Sequence, residues 1–203
     1  MVESDCYTQV NDDLQDWIAN RTPNASLRKM ALRVMKHATP EQWIKYYWWD
    51  ALVLDTDTCL DISPTLRNLD ADFPIQSIGI GKIGPNTLYP LHVDTNRGCG
   101  INMMLSDCNL HATESFCAWV DEDTNETYQL KYEQDTMYLL NTQLKHTVFN
   151  FVSERVMFMV EFEADRKDLS YDTMKKLCQE GTLPDRPKRK PYSLDGLQLP
   201  KAY

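Results

Sequence analysis

The chain has 203 residues and a net charge of −9, with 42% apolar and 25% charged residues, the size and make-up of one compact globular domain rather than of a disordered chain. So acidic a balance argues against a partner whose main handle is a phosphate backbone, because such proteins draw affinity from clustered Lys and Arg. No apolar stretch approaches a membrane span, Met1-Val2-Glu3-Ser4-Asp5 lacks the regions of a secretory signal, and the six cysteines form no CxxC pair; reduced thiols and a cytoplasmic location are expected.

Residues 1 to about 72 read as a helical layer. Leu14, Trp17 and Ile18 follow helical spacing within Asp12 to Ala19, and Asn24-Ala25-Ser26 offers the start of a second helix through Leu27, Met30, Ala31, Val34 and Met35. Thr39-Pro40 with Gln42 has the form of a capping box with proline at the first helical position. The helix predicted from it carries Trp43, Tyr46 and Tyr47, beside Trp48 and Trp49. That aromatic group is either a helix face set into a sheet, the preferred reading, or a shelf for a substrate. Ser63-Pro64 opens a further short turn of helix.

From Pro74 the period changes to two. Gln76 to Ile83 alternates as a strand and stops at Gly84-Pro85-Asn86. Strands are predicted over Gly100 to Leu105, Ser115 to Val120, Thr127 to Tyr132, Thr136 to Leu140, His146 to Phe151 and Val156 to Glu163. Short strands with regular turns indicate a sandwich, barrel or jelly roll. A closing helix is expected over residues 168–180, ended by Gly181, then a surface-draped tail over residues 183–203 holding Lys188-Arg189-Lys190.

Only four histidines are present: His37, His92, His111 and His146. In His92-Val93-Asp94 an imidazole and a carboxylate stand two residues apart, on one face if the segment is a strand. His146 begins a later strand and can complete a set of two His and one carboxylate, which suits non-haem Fe(II) because positions remain for a bidentate cosubstrate and O2. A lone histidine is otherwise more often a core or surface residue. Arg155 follows His146 by nine positions, beyond the Ser153-Glu154 turn. Its planar fork can grip a carboxylate at the closed end of a pocket, or pair with Glu154, Glu161 or Glu163.

Tyr89-Pro90-Leu91-His92-Val93-Asp94, Arg97-Gly98-Cys99-Gly100-Ile101-Asn102, Leu140 to Asn150 and Glu154-Arg155-Val156 together resemble the 2-oxoglutarate/Fe(II)-dependent oxygenases. The His146-x-Val148-x-Asn150 run is similar to the aspartyl/asparaginyl β-hydroxylase-like branch and its small bacterial and phage relatives. The resemblance covers roughly residues 76–163. It implies a double-stranded β-helix, a cupin-like jelly roll with the N-terminal helical layer on one sheet, in a single domain over residues 1–203. It also implies His92, Asp94 and His146 as Fe(II) ligands and Arg155 on the far carboxylate of 2-oxoglutarate, with Asn102 and Arg97 as further cosubstrate-binding residues and Asn141 lining the site. The family's Gly before the acidic residue ahead of the distal His gives way here to Glu133-Gln134-Asp135. The implied reaction is hydroxylation of an unactivated C–H bond of an amino-acid side chain, free or within a polypeptide, with release of succinate and CO2. The alternatives are a cupin-type metal enzyme that does not use 2-oxoglutarate and a non-enzymatic jelly-roll binding module.

Overall fold

The computed structural model describes residues 3–9, 17–108, 115–164 and 168–180. Its strands are β1 (Tyr7–Gln9), β2 (Trp43–Lys45), β3 (Asp50–Val53), β4 (Ile75–Ile83), β5 (Thr87–His92), β6 (Cys99–Met104), β7 (Ser115–Val120), β8 (Thr127–Leu130), β9 (Met137–Asn141), β10 (His146–Asn150) and β11 (Arg155–Phe162). They form a seven-stranded sheet in the order β1-β9-β6-β11-β4-β3-β2 and a four-stranded sheet in the order β5-β10-β7-β8. Neighbours pair antiparallel throughout. Of the sandwich, barrel or jelly roll that the short strands allow, this is the jelly roll, the double-stranded β-helix that the resemblance implies.

The period-two pattern builds two cores. On β11, Val156, Phe158, Val160 and Phe162 face the helices, while Arg155, Met157, Met159 and Glu161 line a cavity on the other face. Each of those buried apolar side chains contributes roughly 1.5–3 kcal/mol by leaving water. On the helical side they meet Leu27 and Ala31 of α2 (Trp17–His37), Cys59 of α3 (Thr56–Ile62), Leu66 and Leu69 of α4 (Pro64–Asp72), and Met174 and Leu177 of α5 (Tyr171–Glu180). The second core lies between the sheets, where Cys117 and Trp119 of β7 and Leu130 of β8 meet Tyr138 and Leu140 of β9. A short α1 (Glu3–Cys6) adds Cys6 to it.

The N-terminal third departs from the helical layer expected of it. Tyr7–Gln9, Trp43–Lys45 and Asp50–Val53 are strands of the large sheet. Thr39 N–H does donate to Gln42 Oε1 (2.8 Å), but the box opens only one 3-10 turn over Pro40–Gln42. The chain then extends into β2, because β3 is claimed by the backbone of β4 and β2 by that of β3. Three- and four-residue strands are too short for alternation to betray them. The predicted break at Asn24 is also absent: α2 runs through Pro23, and the Asn24 side chain donates to the Asp135 carbonyl (3.0 Å) instead of capping a new helix. The start of the first predicted helix, Gly181 and the tail lie outside the described residues.

The short turn of helix expected at Ser63-Pro64 is present as the start of α4, where Ser63 accepts from Leu66 N–H with Pro64 at the first position, while Asp55, which accepts from Thr58 N–H at the head of α3, is a cap that the sequence pattern did not single out. No helix among the described residues is long and apolar enough to cross a membrane.

Candidate active site

His146 opens β10 and His92 closes β5, and the two are cross-strand partners with ring centroids 4.3 Å apart. The register shifts between them and the next pair, Val148 with Tyr89, so two residues separate the partners on β10 and three on β5. This bulge turns both Tyr89 and His92 toward the cavity, which strict alternation would forbid. Thr147 Oγ1 donates to the Tyr89 carbonyl (2.6 Å) across it. Pro90 sits in the bulge of an edge strand, where its missing N–H costs no ladder bond.

Each imidazole is anchored from behind. His92 Nδ1 lies 2.7 Å from the Pro90 carbonyl and His146 Nδ1 lies 2.9 Å from the Leu144 carbonyl. A carbonyl only accepts, so both Nδ1 atoms carry the proton and both Nε2 lone pairs turn inward. Asp94 Oδ1 lies 3.3 Å from His92 Nε2 and 4.0 Å from His146 Nε2. One ligand atom from each residue falls within 4.8 Å of the others, wider than the roughly 3 Å edge that ligands at about 2.1 Å from an ion would span, so the three groups face one point and would draw together around an ion. The donor set therefore fits a metal with two His and one carboxylate. Asp94 is not on the strand, as its spacing from His92 suggested. It lies just past the end of β5, where its N–H donates to the Thr142 carbonyl (3.0 Å).

Charge follows this geometry. Burial pushes the Asp94 carboxyl up, but the His92 contact and the Arg97 guanidinium outweigh it and hold it well below the usual carboxylate range. His146, the more enclosed ring, is lowered by burial; in His92 burial is overcome by Asp94 and the Pro90 carbonyl, and the net shift is upward.

Arg155 is 1% exposed. Its Nη1 donates to Ser115 Oγ (3.1 Å), Nη2 to the Tyr132 hydroxyl (3.3 Å) and Nε toward Met157 Sδ (3.0 Å). No carboxylate among the described residues pairs with it; Glu161 is engaged by Arg97 and Glu154 by Lys82. A buried cation among neutral dipoles is costly, and the arrangement fits an anionic group entering from the cavity.

Arg97 is differently employed. It pairs with Asp94 Oδ2 through Nε and with Glu161 Oε1 through Nη1 (3.1 Å), while Thr142 Oγ1 and Gln143 Nε2 donate to its carbonyl. Burial lowers its pKa, but the two carboxylates raise it further. Asn102 lines the cavity and reaches the Tyr132 hydroxyl. Asn141 does not turn inward: its Nδ2 donates to the Asp5 carbonyl and its Oδ1 accepts from Gln143 N–H. His37 ends α2, and His111 lies outside the described residues.

No family model and no curated protein matches the sequence. Solved structures do. A prolyl-4-hydroxylase from Pseudomonas putida superposes with a TM-score of 0.53 at 12% identity, covering 77% of this chain and 91% of that one. A dioxygenase for auxin oxidation from Arabidopsis thaliana, in complex with 2-oxoglutarate, gives 0.53 at 12%, covering 74% and 82%. An oxidoreductase of the 2OG-Fe(II) oxygenase family from Burkholderia pseudomallei gives 0.50 at 11%, covering 73% and 91%. The fold is that of the 2-oxoglutarate/Fe(II) oxygenases.

Within that fold the triad and Arg155 line one cavity of about 240 Å³. Several of its residues are not apparent from the sequence. Tyr132 stands just past β8, and Ser115 on β7, though not in the cavity wall, supplies the hydroxyl that accepts from Arg155 behind it. Trp49 comes from the β2–β3 turn, and Glu161 enters the wall as the partner of Arg97. Burial raises the lining Cys117 thiol to about 11, so it remains protonated at neutral pH.

Proposed function

We propose that this chain is a 2-oxoglutarate- and Fe(II)-dependent oxygenase that hydroxylates an unactivated C–H bond of an amino-acid side chain, with release of succinate and CO2. One observation carries the reading. Two imidazole Nε2 atoms and one carboxylate oxygen converge in the same cavity as a buried guanidinium whose partners among the described residues are neutral. In this reading the whole chain is one oxygenase domain in the cytoplasm.

When bound, Fe(II), 2-oxoglutarate and O2 supply the oxidising chemistry that no side chain has. The protein's own part is positioning. The Pro90 and Leu144 carbonyls hold the Nδ1 protons of His92 and His146, so the rings offer Nε2 without reorienting. Arg97 occupies Asp94 Oδ2, so Asp94 offers Oδ1 alone. Arg155 takes the far carboxylate of 2-oxoglutarate, aided by Tyr132, while Asn102 orients that phenol. Val148, Met157 and Leu140 in the wall limit water. Asn150, the third residue of the motif that links the chain to the β-hydroxylase-like branch, donates to the carbonyls of Ile83, Gly84 and Ser153 and so holds the turn that delivers Arg155.

Anaerobic titration with Fe(II) and then 2-oxoglutarate tests this reading. A weak visible charge-transfer band from bidentate 2-oxo acid chelation is expected. His146→Ala should abolish both band and turnover while the far-UV circular dichroism stays native. A metal enzyme that does not use 2-oxoglutarate, or a binding module, gives no band, and full turnover by His146→Ala would overturn the assignment.

A further inference from the structure

Four aromatic residues in succession connect β2 to β3, closed by Tyr46 N–H donating to the Trp49 carbonyl (2.9 Å). Hairpin turns are ordinarily polar, with Gly, Asn or Asp to make the bend. Here Tyr47 is 88% exposed and Tyr46 50%, so these rings gain little from folding. They are nonetheless ordered against one another. Tyr46 stacks on Trp49 (4.6 Å, 13°), Tyr47 meets Trp48 edge-on (4.5 Å), and Trp48 meets Tyr89 edge-on (6.0 Å). The base of the hairpin is tied by Lys45 to Asp50 (2.6 Å) and by Lys82 over the Trp43 ring (4.6 Å).

This surface runs into the cavity. Trp49 and Tyr89 belong both to the aromatic group and to the cavity wall, and Tyr89 packs on His92 (4.4 Å). Beside it, β5 is the outer strand of the small sheet and shows Leu88, Pro90 and Leu91 to solvent. The charged groups nearby are already matched: Arg97 with Glu161, and Lys45 with Asp50.

We infer that the hydroxylated side chain arrives on an uncharged, extended polypeptide segment that lies across the Tyr46–Trp49 turn and along β5. The inference rests on the oxygenase reading for its chemistry and on the aromatic surface for its substrate class. A free amino acid brings two charges, and the matched ion pairs at the mouth offer it no unpaired partner. It would also leave Tyr47 untouched outside a cavity of about 240 Å³ that takes the cosubstrate as well. A nucleic acid needs unmatched cations, and Lys45 of this hairpin and Lys82 of β4 are both paired with Asp50. An extended apolar segment meets what is present: ring faces for its CH groups and the open backbone edge of β5 for its amides.

The test uses the full chain with Fe(II) and 2-oxoglutarate and compares three probe pools: the common free amino acids, random short peptides of uncharged residues, and the same peptides with interspersed Lys and Glu. Products are read as a one-oxygen mass gain. The expected result is a gain confined to the uncharged peptides. For a peptide isolated from that pool, Tyr47→Ala should raise KM about two- to tenfold at unchanged kcat, the loss of one ring contact. Tyr47→Phe should restore it. Tyr47 touches only Trp48 among the ring contacts, so the variant keeps its fold. A gain in free amino acids or charged peptides, a gain in no pool, or an unchanged KM in Tyr47→Ala overturns the inference. A charge-transfer band in wild type without peptide product sinks this inference and leaves the oxygenase reading. Absence of the band sinks both.

Discussion

A guanidinium buried among a hydroxyl, a phenol and a thioether is poorly compensated, because none of these partners carries opposite charge. In the oxygenase reading, Arg155 gains its counter-charge from the far carboxylate of 2-oxoglutarate. Arg155→Lys keeps the positive charge and loses the two-pronged donor, so 2-oxoglutarate affinity should fall while Fe(II) binding survives. Losing charge-assisted hydrogen bonds of this kind costs about 2–4 kcal/mol, or about 30- to 1,000-fold in affinity. Calorimetric titration of the Fe(II)-loaded variant with 2-oxoglutarate checks it, and wild-type affinity in Arg155→Ala would refute the cosubstrate assignment.

Among the elements, β4 carries two glycines that the alternation alone does not distinguish. A Cβ on Gly79 would stand 3.0 Å from the Leu52 carbonyl oxygen, part of the β3 backbone. A Cβ on Gly81 would meet the end of the Met159 side chain at 2.7 Å and Trp49 at 3.5 Å. Backbone in a paired strand cannot retreat, whereas a methionine tip can swing. Gly79→Ala should therefore destabilise by about 1–3 kcal/mol, and Gly81→Ala by less. The Gly81 change instead displaces the Met159 tip in the cavity wall and should show itself in substrate KM. Urea unfolding of both variants, with steady-state kinetics on the second, separates the two effects. Equal loss of stability would show that Met159 is as fixed as the backbone.

Across the whole molecule, burial raises several thiols far above their ordinary value of 9.0. Cys59, Cys99 and Cys178 each reach about 12, with burial the leading cause. Tyr138 rises in the same direction to about 12, again through burial. The folded chain thus binds these protons more tightly than the unfolded one. Their contribution to stability is complete below the unfolded value near 9 and is lost as pH climbs toward 12. The melting temperature should be flat through neutral pH and decline above about pH 9, and a Cys99→Ala variant should decline less steeply. A rising melting temperature over that range would contradict the assignment.

His92, Asp94, His146 and Arg155 were legible in the sequence because histidine is scarce here and because the spacing of chemically compatible groups is local information. Most strands from Ile75 to Phe162 were legible for a similar reason: one face meets helices or the opposing sheet, so apolar residues recur at every second position; β5 was not, because Pro90 and a bulge break the alternation over Thr87–His92. What a local pattern does not contain was decided by pairing between distant segments. The bulge that aims both Tyr89 and His92 inward depends on β10, and the strand state of Trp43–Lys45 depends on β3 and β4. Asp135 shows the same division. It ends the Glu133-Gln134-Asp135 run that stands where the related pattern has glycine, takes a positive φ of 59°, which aspartate tolerates in a tight turn, and its carbonyl receives the Asn24 side chain from α2. The sequence pointed to the candidate ligand set and to Arg155, because residue chemistry and period-two burial are written locally. Only the tertiary structure decided that Arg97 serves Asp94 and Glu161, that Arg155 stands among neutral partners, and that the aromatic turn opens onto the cavity, because each depends on side chains far apart in the chain meeting in space.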